Sequence, residues 1–372
     1  MKYNLADICE YAKGKVDVAI LDADTYISTE NMMPNKRGIT SATSLPTVAQ
    51  TQAFLAGDIL VSNIRPYFKK IWFAEFNGGC SNDVLVFRAK NGVSKRFLYY
   101  VLANDTFFDY SMSTSKGTKM PRGDKAAIMK YDVPDFTYEK QEKIAGILDA
   151  LDKKIQLNTE INNNLEQQAQ AIYQQMFIDN ARSDWAEGTL SDIADITIGQ
   201  SPSGSSYNED GTGTIFFQGR AEFGFRFPSV RLYTTEPKRM ARSNDTLMSV
   251  RAPVGDLNVA HTDCCIGRGL AAIHSKSNHQ SFVLYTMFSL KKQLDVFNGE
   301  GTVFGSINRN SLNDMPILIP SDDILDEFER IVAPMDLTIR NNYDEICRLQ
   351  DIRDTLLPRL MSGELDVSDI DI

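Results

Sequence analysis

The chain has 372 residues, of which 42% are hydrophobic and 24% charged, a composition typical of a globular protein large enough for two domains. Its net charge of −10 argues against a uniformly basic nucleic-acid-binding surface. The sequence opens without an apolar run of signal-peptide length, and no uncharged apolar stretch is long enough to cross a bilayer. We therefore expect a cytoplasmic location.

The charge is unevenly distributed along the chain. Residues 321–372 carry 5 basic and 14 acidic side chains, whereas residues 62–96 carry seven basic against two acidic and residues 216–251 seven against three. Residues 112–130 are also basic, with five against one. Such a cluster is usually only a solvated face, but it is also what a local phosphate-binding surface requires.

A short phrase occurs twice. LADICEYAKG at 5–14 matches LSDIADITIG at 190–199, and Cys80 and Tyr100 meet Cys265 and Tyr285 at the same offset of 185. Chance could produce a single matched decapeptide, but not readily an agreement that continues along the chain. The sequence therefore predicts two copies of one domain, each occupying about half of the chain.

Each copy contains short β-rich runs followed by a helical pattern. The predicted strands lie at 58–64, 70–76 and 83–88 in the first copy and at 214–218, 246–251 and 256–260 in the second. Residues 95–110 and 280–297 have aromatic and aliphatic side chains at helical spacing, which predicts a packed helix in each copy. Tyr100 and Tyr285 are expected to be core residues.

Two further segments have the alternating four- and three-residue spacing of a coiled coil. The first runs from Ile144 to Met176, and the second from Phe328 to Leu360. Pro334 is expected to kink the first turns of the second helix, and Pro358 indicates that the regular helix fails near its end. We expect the two helices to pack together as an antiparallel pair. Three asparagines fall on the seams, where they either fix the register or face solvent through a local slip: Asn158, Asn162 and Asn342.

The predicted fold class is α/β (α+β), with two similar globular domains separated by two long helices that pack as an antiparallel coiled coil, in a pseudo-twofold internal repeat. The predicted segments are a first domain at 1–138, a central helix at 139–180, a second domain at 181–320, a distal helix at 321–366 and an acidic tail at 367–372.

The sequence offers little for catalysis or metal binding. Five cysteines without a CxxC pair and three histidines do not support a zinc site, and the cysteines are expected to be reduced, mostly core residues. Phosphate-binding glycine loops and paired catalytic motifs are missing, and GTG, GRG and GEG at 211–213, 267–269 and 299–301 are interpreted as turns. We expect no catalytic residues, no bound metal and no cofactor in this chain.

Several phrases nevertheless resemble a known family. RAPVGDLNVAHTDCCIGRGLAAI at 251–273, FLAGDILVSNIRPYFKK at 54–70 and LLPRLMSGELDV at 356–367 are similar to the specificity subunit of type I restriction-modification enzymes, as is the order of domain, helix, domain, helix. The resemblance covers essentially the whole chain. It implies two target-recognition domains that each read one half of a bipartite DNA sequence, with the helices as spacer.

The resemblance also implies partners and cofactors outside the chain. Two modification subunits carrying S-adenosylmethionine would bind this chain and methylate adenines, and restriction subunits would use ATP and Mg²⁺. The chain itself would supply the DNA address and no catalysis. The alternatives are a duplicated coiled-coil scaffold without DNA binding, which would suit the pI of about 5.0, and an enzyme with a dispersed carboxylate site.

Candidate DNA-binding residues lie in loops rich in Gly, Pro and Ser, from which a rigid scaffold can present side chains. In the first domain they are Lys36, Arg37, Arg65, Tyr67, Lys69, Lys116, Lys119 and Arg122. In the second they are Ser203, Ser205, Tyr207, Gln218, Arg220, Arg226, Arg251, Asn308 and Arg309.

The candidates divide by role. Arg65 and Arg251 occupy equivalent positions in the two copies, which suits either a shared phosphate contact or a structural salt bridge, and we assign them to the DNA backbone. Half-site identity must come from residues that differ between the copies. Gln218, Arg220 and Asn308 are therefore the predicted base readers, because their side chains can form paired hydrogen bonds with adenine or guanine.

Overall fold

The computed structural model describes residues 3–117, 119–299 and 305–367. Its described residues form two compact units, one from Met1–Asn158 together with Asp344–Ile372 and the other from Thr159–Tyr343. Unit 1 and unit 2 each contain one globular domain and a segment of both long helices. Most of the predicted acidic tail, at 368–372, lies outside the described residues.

Unit 1 contains two four-stranded sheets. The strand order is β1-β8-β5-β6 in one sheet and β2-β4-β7-β3 in the other, and all pairings are antiparallel except that of β3 with β7. The strands are β1 (Cys9–Tyr11), β2 (Lys15–Asp17), β3 (Tyr26–Ile27), β4 (Gln50–Phe54), β5 (Ile59–Ser62), β6 (Ile71–Phe73), β7 (Gly78–Cys80) and β8 (Val84–Ala89).

The helices of unit 1 cover the first of these sheets. They are α1 (Leu5–Ile8), α2 (Lys95–Ala103), α3 (Asp105–Ser113), α4 (Lys125–Ile128) and the first part of α5 (Tyr138–Tyr173). Phe87 of β8, Phe97 of α2 and Phe107 of α3 are buried in one core with Leu148 of α5. The long helix is therefore part of the hydrophobic core of unit 1.

Unit 2 contains a four-stranded, a five-stranded and a two-stranded sheet, with the orders β10-β18-β15-β16, β11-β13-β12-β17-β14 and β19-β9. The strands are β9 (Ala186–Thr189), β10 (Ala194–Ile198), β11 (Tyr207–Asn208), β12 (Thr214–Phe217), β13 (Leu232–Thr234), β14 (Met240–Ala241), β15 (Thr246–Ser249), β16 (Leu257–Val259), β17 (Cys264–Ile266), β18 (Leu270–Ser275) and β19 (Pro316–Ile319). The remaining helices are α6 (Leu190–Ile193), α7 (Gln280–Ser289), α8 (Lys291–Asp295), α9 (Arg309–Asn313) and α10 (Asp322–Met361).

The predicted internal repeat is confirmed by the strand order of the two units. The sheet β1-β8-β5-β6 has the same antiparallel arrangement as β10-β18-β15-β16, and β7 and β17 each pair with one parallel and one antiparallel neighbour. The duplicated decapeptide forms α1 with β1 and α6 with β10. Both short helices begin with a capping box, formed by Asn4 with Asp7 and by Thr189 with Asp192.

The two long helices have nearly the predicted extents. Helix α5 continues into a π-helical turn at Gln174–Asp179, and α10 is helical through Pro334 and Pro358 to Met361. The regular helix therefore ends three residues after Pro358 and five residues before the predicted boundary at 366. None of the predicted seam residues between Ile144 and Met176 is exposed, which agrees with a coiled-coil seam.

The helices run antiparallel within each unit. In unit 1, Asp152 of α5 contacts Arg353 of α10, and six residues further along α5 Asn158 contacts Glu345, eight residues earlier in α10. In unit 2, Asn162 contacts the Ile339 carbonyl, and the Phe177 ring after α5 contacts Phe328. As the residue numbers of the contacts increase along α5, those of their partners decrease along α10. The two helices therefore run in opposite directions.

The single helix predicted at 95–110 is two helices. Asn104 ends α2, and its side chain accepts a hydrogen bond from Thr106 N at 3.2 Å, so that it caps α3. The predicted helix at 280–297 is similarly divided at Leu290 into α7 and α8. Tyr100 and Tyr285 are buried core residues, as predicted.

The cysteines are reduced and mostly buried, as predicted. Cys9, Cys80, Cys264 and Cys265 are buried and all five cysteines are free thiols, and burial raises the pKa of Cys9, Cys80 and Cys264 to about 12. Among the described residues, no three His, Cys, Asp or Glu side chains are grouped to hold a metal ion. None of the helices described has the length and hydropathy needed to span a bilayer.

Candidate nucleic-acid interface

Three loops of unit 1 are joined by main-chain hydrogen bonds into one surface. Lys36 N donates to Lys69 O at 2.9 Å, Arg65 N donates to Pro121 O at 2.9 Å, and Lys116 and Arg122 exchange two such bonds. We call the joined loops at 34–37, 65–69 and 116–122 loop surface 1. All eight candidate residues of the first domain belong to these loops, although they are up to 86 positions apart in sequence.

Two of the lysines in loop surface 1 share a carboxylate. Lys36 Nζ and Lys69 Nζ each lie 2.7 Å from an oxygen of Asp105, at the start of α3. Burial alone would raise the pKa of Asp105, but the hydrogen bonds from the two lysines hold it below its ordinary value. The group keeps one net positive charge and fixes both ammonium groups in place.

Two further cations pair with partly exposed carboxylates. Arg122 Nη2 lies 3.1 Å from Asp83 Oδ1, and Lys116 Nζ lies 2.8 Å from Asp124 Oδ2. Lys116 is 83% exposed, and an ion pair in such a position contributes little to stability because water and salt screen it. A phosphate group can therefore compete for these cations at little cost, which suits a backbone contact.

Arg65 and Lys69 bound a short 3₁₀ helix, Pro66–Phe68, and both adopt positive φ angles, 49° and 50°. This strained turn exposes the Tyr67 and Phe68 rings, whose centroids lie 4.7 Å apart. Arg65 Nε is buried and lacks an acceptor among the described residues. The turn therefore presents an aromatic pair at the surface beside an arginine.

Unit 2 has a corresponding set of joined loops. Gly269 N donates to Gln218 O at 3.3 Å, Val250 N to Gly269 O at 2.9 Å, and Ile307 N to Val250 O at 3.1 Å. We call the joined loops at 218–220, 250–252, 267–269 and 305–309 loop surface 2. Arg251, Arg268 and Ser306 line a cavity of about 550 Å³ within it.

The equivalent arginines lie at equivalent places. Arg65 follows β5 and its loop pairs with residues 121–122, whereas Arg251 follows β15 and forms a bridge with Ser306. Within residues 3–117, 119–299 and 305–367, neither guanidinium has a carboxylate within ion-pair distance. The salt-bridge interpretation of these arginines therefore has no support in the described residues. Arg220, by contrast, pairs with Asp256 at 2.6 Å while remaining half exposed.

The serine-rich candidates of the second domain lie in the loop before β11. Ser203 Oγ and Ser205 Oγ hydrogen-bond to each other at 2.8 Å, and the Tyr207 hydroxyl donates to Pro202 O at 3.1 Å. This loop reaches loop surface 2 at Ser201, whose Oγ accepts from Arg268 N at 3.2 Å. Tyr207 is half-buried with its ring against Phe216, which leaves the two exposed serines as the accessible candidates.

Arg226 does not belong to the interface. It is only 4% exposed, and its guanidinium lies 2.9 Å from Glu166 of α5 and 3.1 Å from Asp336 of α10. A buried guanidinium held by two carboxylates cannot reach DNA without breaking both ion pairs. We therefore remove Arg226 from the candidate set and assign it to the contact between the domain and the helices of unit 2.

Asn308 is placed differently from the expectation. Its side-chain oxygen accepts from Ser311 N at 2.9 Å and caps α9. Asp124 caps α4 in the same way at the corresponding place in unit 1. A paired contact with adenine needs both the oxygen and the nitrogen of the amide, and the cap directs the oxygen toward the helix backbone, so such a contact would compete with the cap. Asn308 therefore has a structural role, and its neighbour Arg309 is exposed.

Sequence reasoning missed Arg268. The GRG segment was interpreted as a turn, and it is one, but its central arginine is exposed on loop surface 2. The signal was present in the sequence as a long cationic side chain between two glycines. Its importance depends on Gln218 and Arg251, which lie 50 and 17 positions earlier and are brought alongside only by the sheets.

The three helix asparagines are buried or half-buried and hydrogen-bonded. Asn158 Nδ2 donates to Glu345 Oε2 at 2.7 Å, Asn162 Nδ2 to Ile339 O at 3.2 Å, and Asn342 Nδ2 to Asn162 Oδ1 at 2.9 Å. Each bond joins α5 to α10 within one unit. The alternative that these side chains face solvent through a slip in the predicted seam does not hold for Asn158 and Asn162, which are 1% and 3% exposed.

Two copies of an α/β unit, each with basic loops gathered on one surface and each built around paired helix segments, define a duplicated recognition protein. The family described as "Type I restriction modification DNA specificity domain" matches residues 1–167. The first half of the chain thus matches this family, and the chain as a whole is similar to specificity subunits of type I restriction enzymes.

Individual relatives extend the similarity over the second half. A Methanocaldococcus jannaschii protein, provisionally named the MjaX specificity subunit of a type I restriction enzyme, is 29% identical over 342 residues, covering 84% of this chain and 79% of that protein. The HindI specificity subunit of Haemophilus influenzae is 24% identical, covering 98% and 99%. The crystal structure of a type I system S subunit from M. genitalium is 15% identical, covers 99% of this chain and 96% of that chain, and has the same fold, with a TM-score of 0.62.

Proposed function

We propose that this chain is the non-catalytic DNA-addressing subunit of a modification complex, in which unit 1 and unit 2 each read one half of a bipartite target. The match of residues 1–167 to the specificity-domain family and the similarity to type I specificity subunits support a role in type I restriction-modification. The observation that carries the finer proposal is the pair of loop surfaces, built on equivalent strands but lined by different side chains. Equivalent scaffolds with different surfaces are what recognition of two different half-sites requires.

The side chains of the two loop surfaces support two roles, phosphate contact and base contact. Arg65 and Arg251, equivalent in the two units, contact phosphates and set the orientation, while Lys116, Lys119 and Arg309 add exposed charge. Gln218 and Arg220 lie on the loop after β12 in unit 2, where their side chains are exposed. They remain our candidates for contacts with base edges.

The helices are proposed to set the half-site spacing, with domains at 1–138 and 181–320 and helices at 139–180 and 321–366. A rod of paired helices holds its ends at a fixed separation because backbone hydrogen bonds and the seam resist bending. Asn158, Asn162 and Asn342 fix the register, since a slip of one turn would break their hydrogen bonds and leave the buried amides of Asn158 and Asn162 unpaired.

The acidic outer faces of the helices are poor DNA contacts and are proposed to receive two modification subunits. These partners would carry S-adenosylmethionine and methylate adenine, and restriction subunits would bring ATP-dependent activity, in a cytoplasmic complex. Native mass measurement of the complex co-expressed with excess modification subunit is expected to give two modification subunits per chain. Saturation at one per chain would contradict this stoichiometry.

The proposed reading of DNA is tested by mapping methylated adenines in a genome modified by the co-expressed complex. We expect one split motif, in which two short specified half-sites flank unspecified bases. Gln218→Ala is expected to relax or change the half-site read by unit 2 and to leave the other half-site and the spacing unchanged, because the side chain is exposed and forms none of the fold's core.

The matched control is Gln293→Ala, the same replacement at an exposed glutamine of unit 2 that lies in α8, outside loop surface 2 and outside the candidate set. An equal loss of methylation at every sequence in Gln218→Ala would assign Gln218 to phosphate binding instead. A continuous motif, or one unrelated to this chain, would overturn the proposed function itself. A scaffold without DNA binding would give no salt-dependent retention of duplex DNA by the complex.

A further inference from the structure

Two turns join equivalent strands in the two units. Residues 81–83 connect β7 to β8 in unit 1, and residues 267–269 connect β17 to β18 in unit 2. The sequences are Ser-Asn-Asp and Gly-Arg-Gly, which share no residue. Sequence comparison alone therefore gives no reason to relate them.

Main-chain hydrogen bonds relate the turns residue by residue. Ser81 N donates to Ile27 O at 2.9 Å, and Gly267 N donates to Phe217 O at 2.8 Å. Inside each turn, Val84 N donates to Ser81 O and Leu270 N to Gly267 O, both at 3.0 Å.

A third pair of bonds fixes the last residue of each turn. Asn63 N donates to Asp83 O at 2.8 Å, and Val250 N donates to Gly269 O at 2.9 Å. The backbones are thus equivalent, and Asn82 occupies in unit 1 the position that Arg268 occupies in unit 2.

Both central side chains are exposed beside residues already assigned to the interface. Arg268 lines the cavity of loop surface 2 with Arg251, and its turn bonds directly to the Gln218 carbonyl. Asn82 is followed by Asp83, which pairs with Arg122 of loop surface 1. The turns therefore contribute one side chain each to the same part of the two surfaces.

The turn of unit 2 is held rigidly against its neighbours. A Cβ on Gly267 would lie 2.8 Å from Gln218 Cα, and one on Gly269 would lie 2.9 Å from Gln218 O. A Cβ on Gly199 would lie only 2.2 Å from Gly267 O. These close backbone approaches require glycine at 267 and 269. Arg268 is therefore the only residue of the turn with a side chain, and the turn that carries it is closely packed against its neighbours.

The two side chains have different and specific preferences among base edges. Arginine forms paired hydrogen bonds with O6 and N7 of guanine, and asparagine forms them with N6 and N7 of adenine. Residues that read different half-sites must differ between the units at equivalent positions, and this position differs in that way. In contrast, Arg65 and Arg251 are identical, as backbone contacts need to be.

We propose that Asn82 and Arg268 are equivalent specificity-determining residues, with Asn82 reading an adenine in the half-site of unit 1 and Arg268 a guanine in the half-site of unit 2. The inference rests on the proposed function, because it names the bases read by surfaces already assigned to DNA.

The test uses the full chain purified with its modification subunits and a library of random-sequence duplexes, from which bound DNA is selected and sequenced. Arg268→Asn is expected to shift the preference at one position of the unit 2 half-site from guanine toward adenine by about 5- to 150-fold. Asn82→Ala is expected to lose selection of adenine at one position of the other half-site. Each variant should leave the opposite half-site unchanged.

Arg251→Ala is the matched control, because it removes one positive charge from the same loop surface at a residue assigned to phosphate. If Arg268 reads guanine, Arg268→Ala loses selection of guanine at one position, whereas Arg251→Ala weakens binding to all sequences alike. If Arg268→Ala and Arg268→Asn also weaken binding to all sequences alike and leave the selected motif unchanged, Arg268 contacts phosphate and the inference is overturned.

Two outcomes separate this inference from the proposed function. A native complex that selects a split motif, with variants that keep the native motif, would overturn the inference alone. A native complex that selects no split motif would overturn both. Thermal unfolding of each variant checks that the exposed substitutions leave the fold intact, and the unchanged half-site in the same selection provides an internal measure of folding.

Discussion

Replacing Arg226 with methionine is expected to lower the free energy of unfolding of unit 2 by about 3 to 5 kcal/mol. The guanidinium lies 2.9 Å from Glu166 and 3.1 Å from Asp336, and it donates to the Tyr285 hydroxyl at 3.2 Å. Methionine fills much of the same space but leaves two carboxylates without their buried cation. The loss arises from these uncompensated charges rather than from a cavity.

The effect should depend on pH in a defined direction. Burial raises the pKa of Glu166 above its usual 4.5, and Arg226 opposes part of that rise. Because the folded state holds this proton more tightly than the unfolded state, the contribution of Glu166 to stability falls as pH rises through its folded pKa. Without Arg226 the pKa of Glu166 rises further. The difference in free energy of unfolding between the native chain and Arg226→Met should therefore become smaller as the pH is lowered from 7 toward 5.

The matched control is Arg220→Met, an arginine six positions earlier whose ion pair with Asp256 is half exposed. Its loss should cost less than about 1 kcal/mol. Urea unfolding is followed by the fluorescence of Trp185, which reports on unit 2 alone when Trp72, the other tryptophan, is replaced by phenylalanine. Equal losses in Arg226→Met and Arg220→Met would show that the buried ion pairs do not stabilise unit 2.

The secondary structure was largely predictable because its signals are local. The β-rich runs at 58–64 and 246–251 contain β5 and β15, and the run at 83–88 covers all but the last residue of β8. The coiled-coil spacing predicted α5 and α10 to within a few residues at most boundaries. Side-chain alternation and seam spacing follow directly from strand and helix geometry. The repeat was also visible, since two copies of one fold keep some residues at matching places.

At Asn104 the sequence contains a signal for a helix start, but the aromatic spacing favoured one continuous helix. Asn-Asp at 104–105 is a helix start, yet the aromatic spacing on both sides predicted one uninterrupted helix. The chain turns there because Phe97 of α2 and Phe107 of α3 both pack into the same core, which a straight helix could not allow. Packing in the core thus decides between one continuous helix and two helices that meet at Asn104.

The site residues could be predicted only in part, because loop composition does not report burial. Arg226 lies in FGFRF, a segment rich in phenylalanine, but nothing in its sequence indicates that Glu166 and Asp336 will enclose the arginine. Asn308 and Lys36 are similar cases, since their partners become known only when the chain is folded. Arg268 was missed for the same reason.

Phe328→Ala should be comparably damaging to unit 2, with an expected loss of about 3 to 5 kcal/mol. Phe328 is fully buried at the first seam position of α10, and its ring centroid lies 5.1 Å from that of Phe177 and 5.9 Å from that of Tyr173. It also contacts Phe282 and Tyr285 of α7. Truncation removes the ring where the globular domain meets the helices, and rigid aromatic neighbours leave a cavity that cannot close.

Leu337→Ala provides the control on the same helix, since Leu337 is 57% exposed and its truncation should change stability by less than about 0.5 kcal/mol. Phe328→Leu should fall between the two, because leucine retains part of the buried apolar surface but not the edge-to-face ring contacts. Both are measured by the Trp185 unfolding curve. If Phe328→Ala and Leu337→Ala have the same free energy of unfolding, α10 is not part of the core of unit 2. A spacer helix that is not packed into that core could not hold loop surface 2 in place.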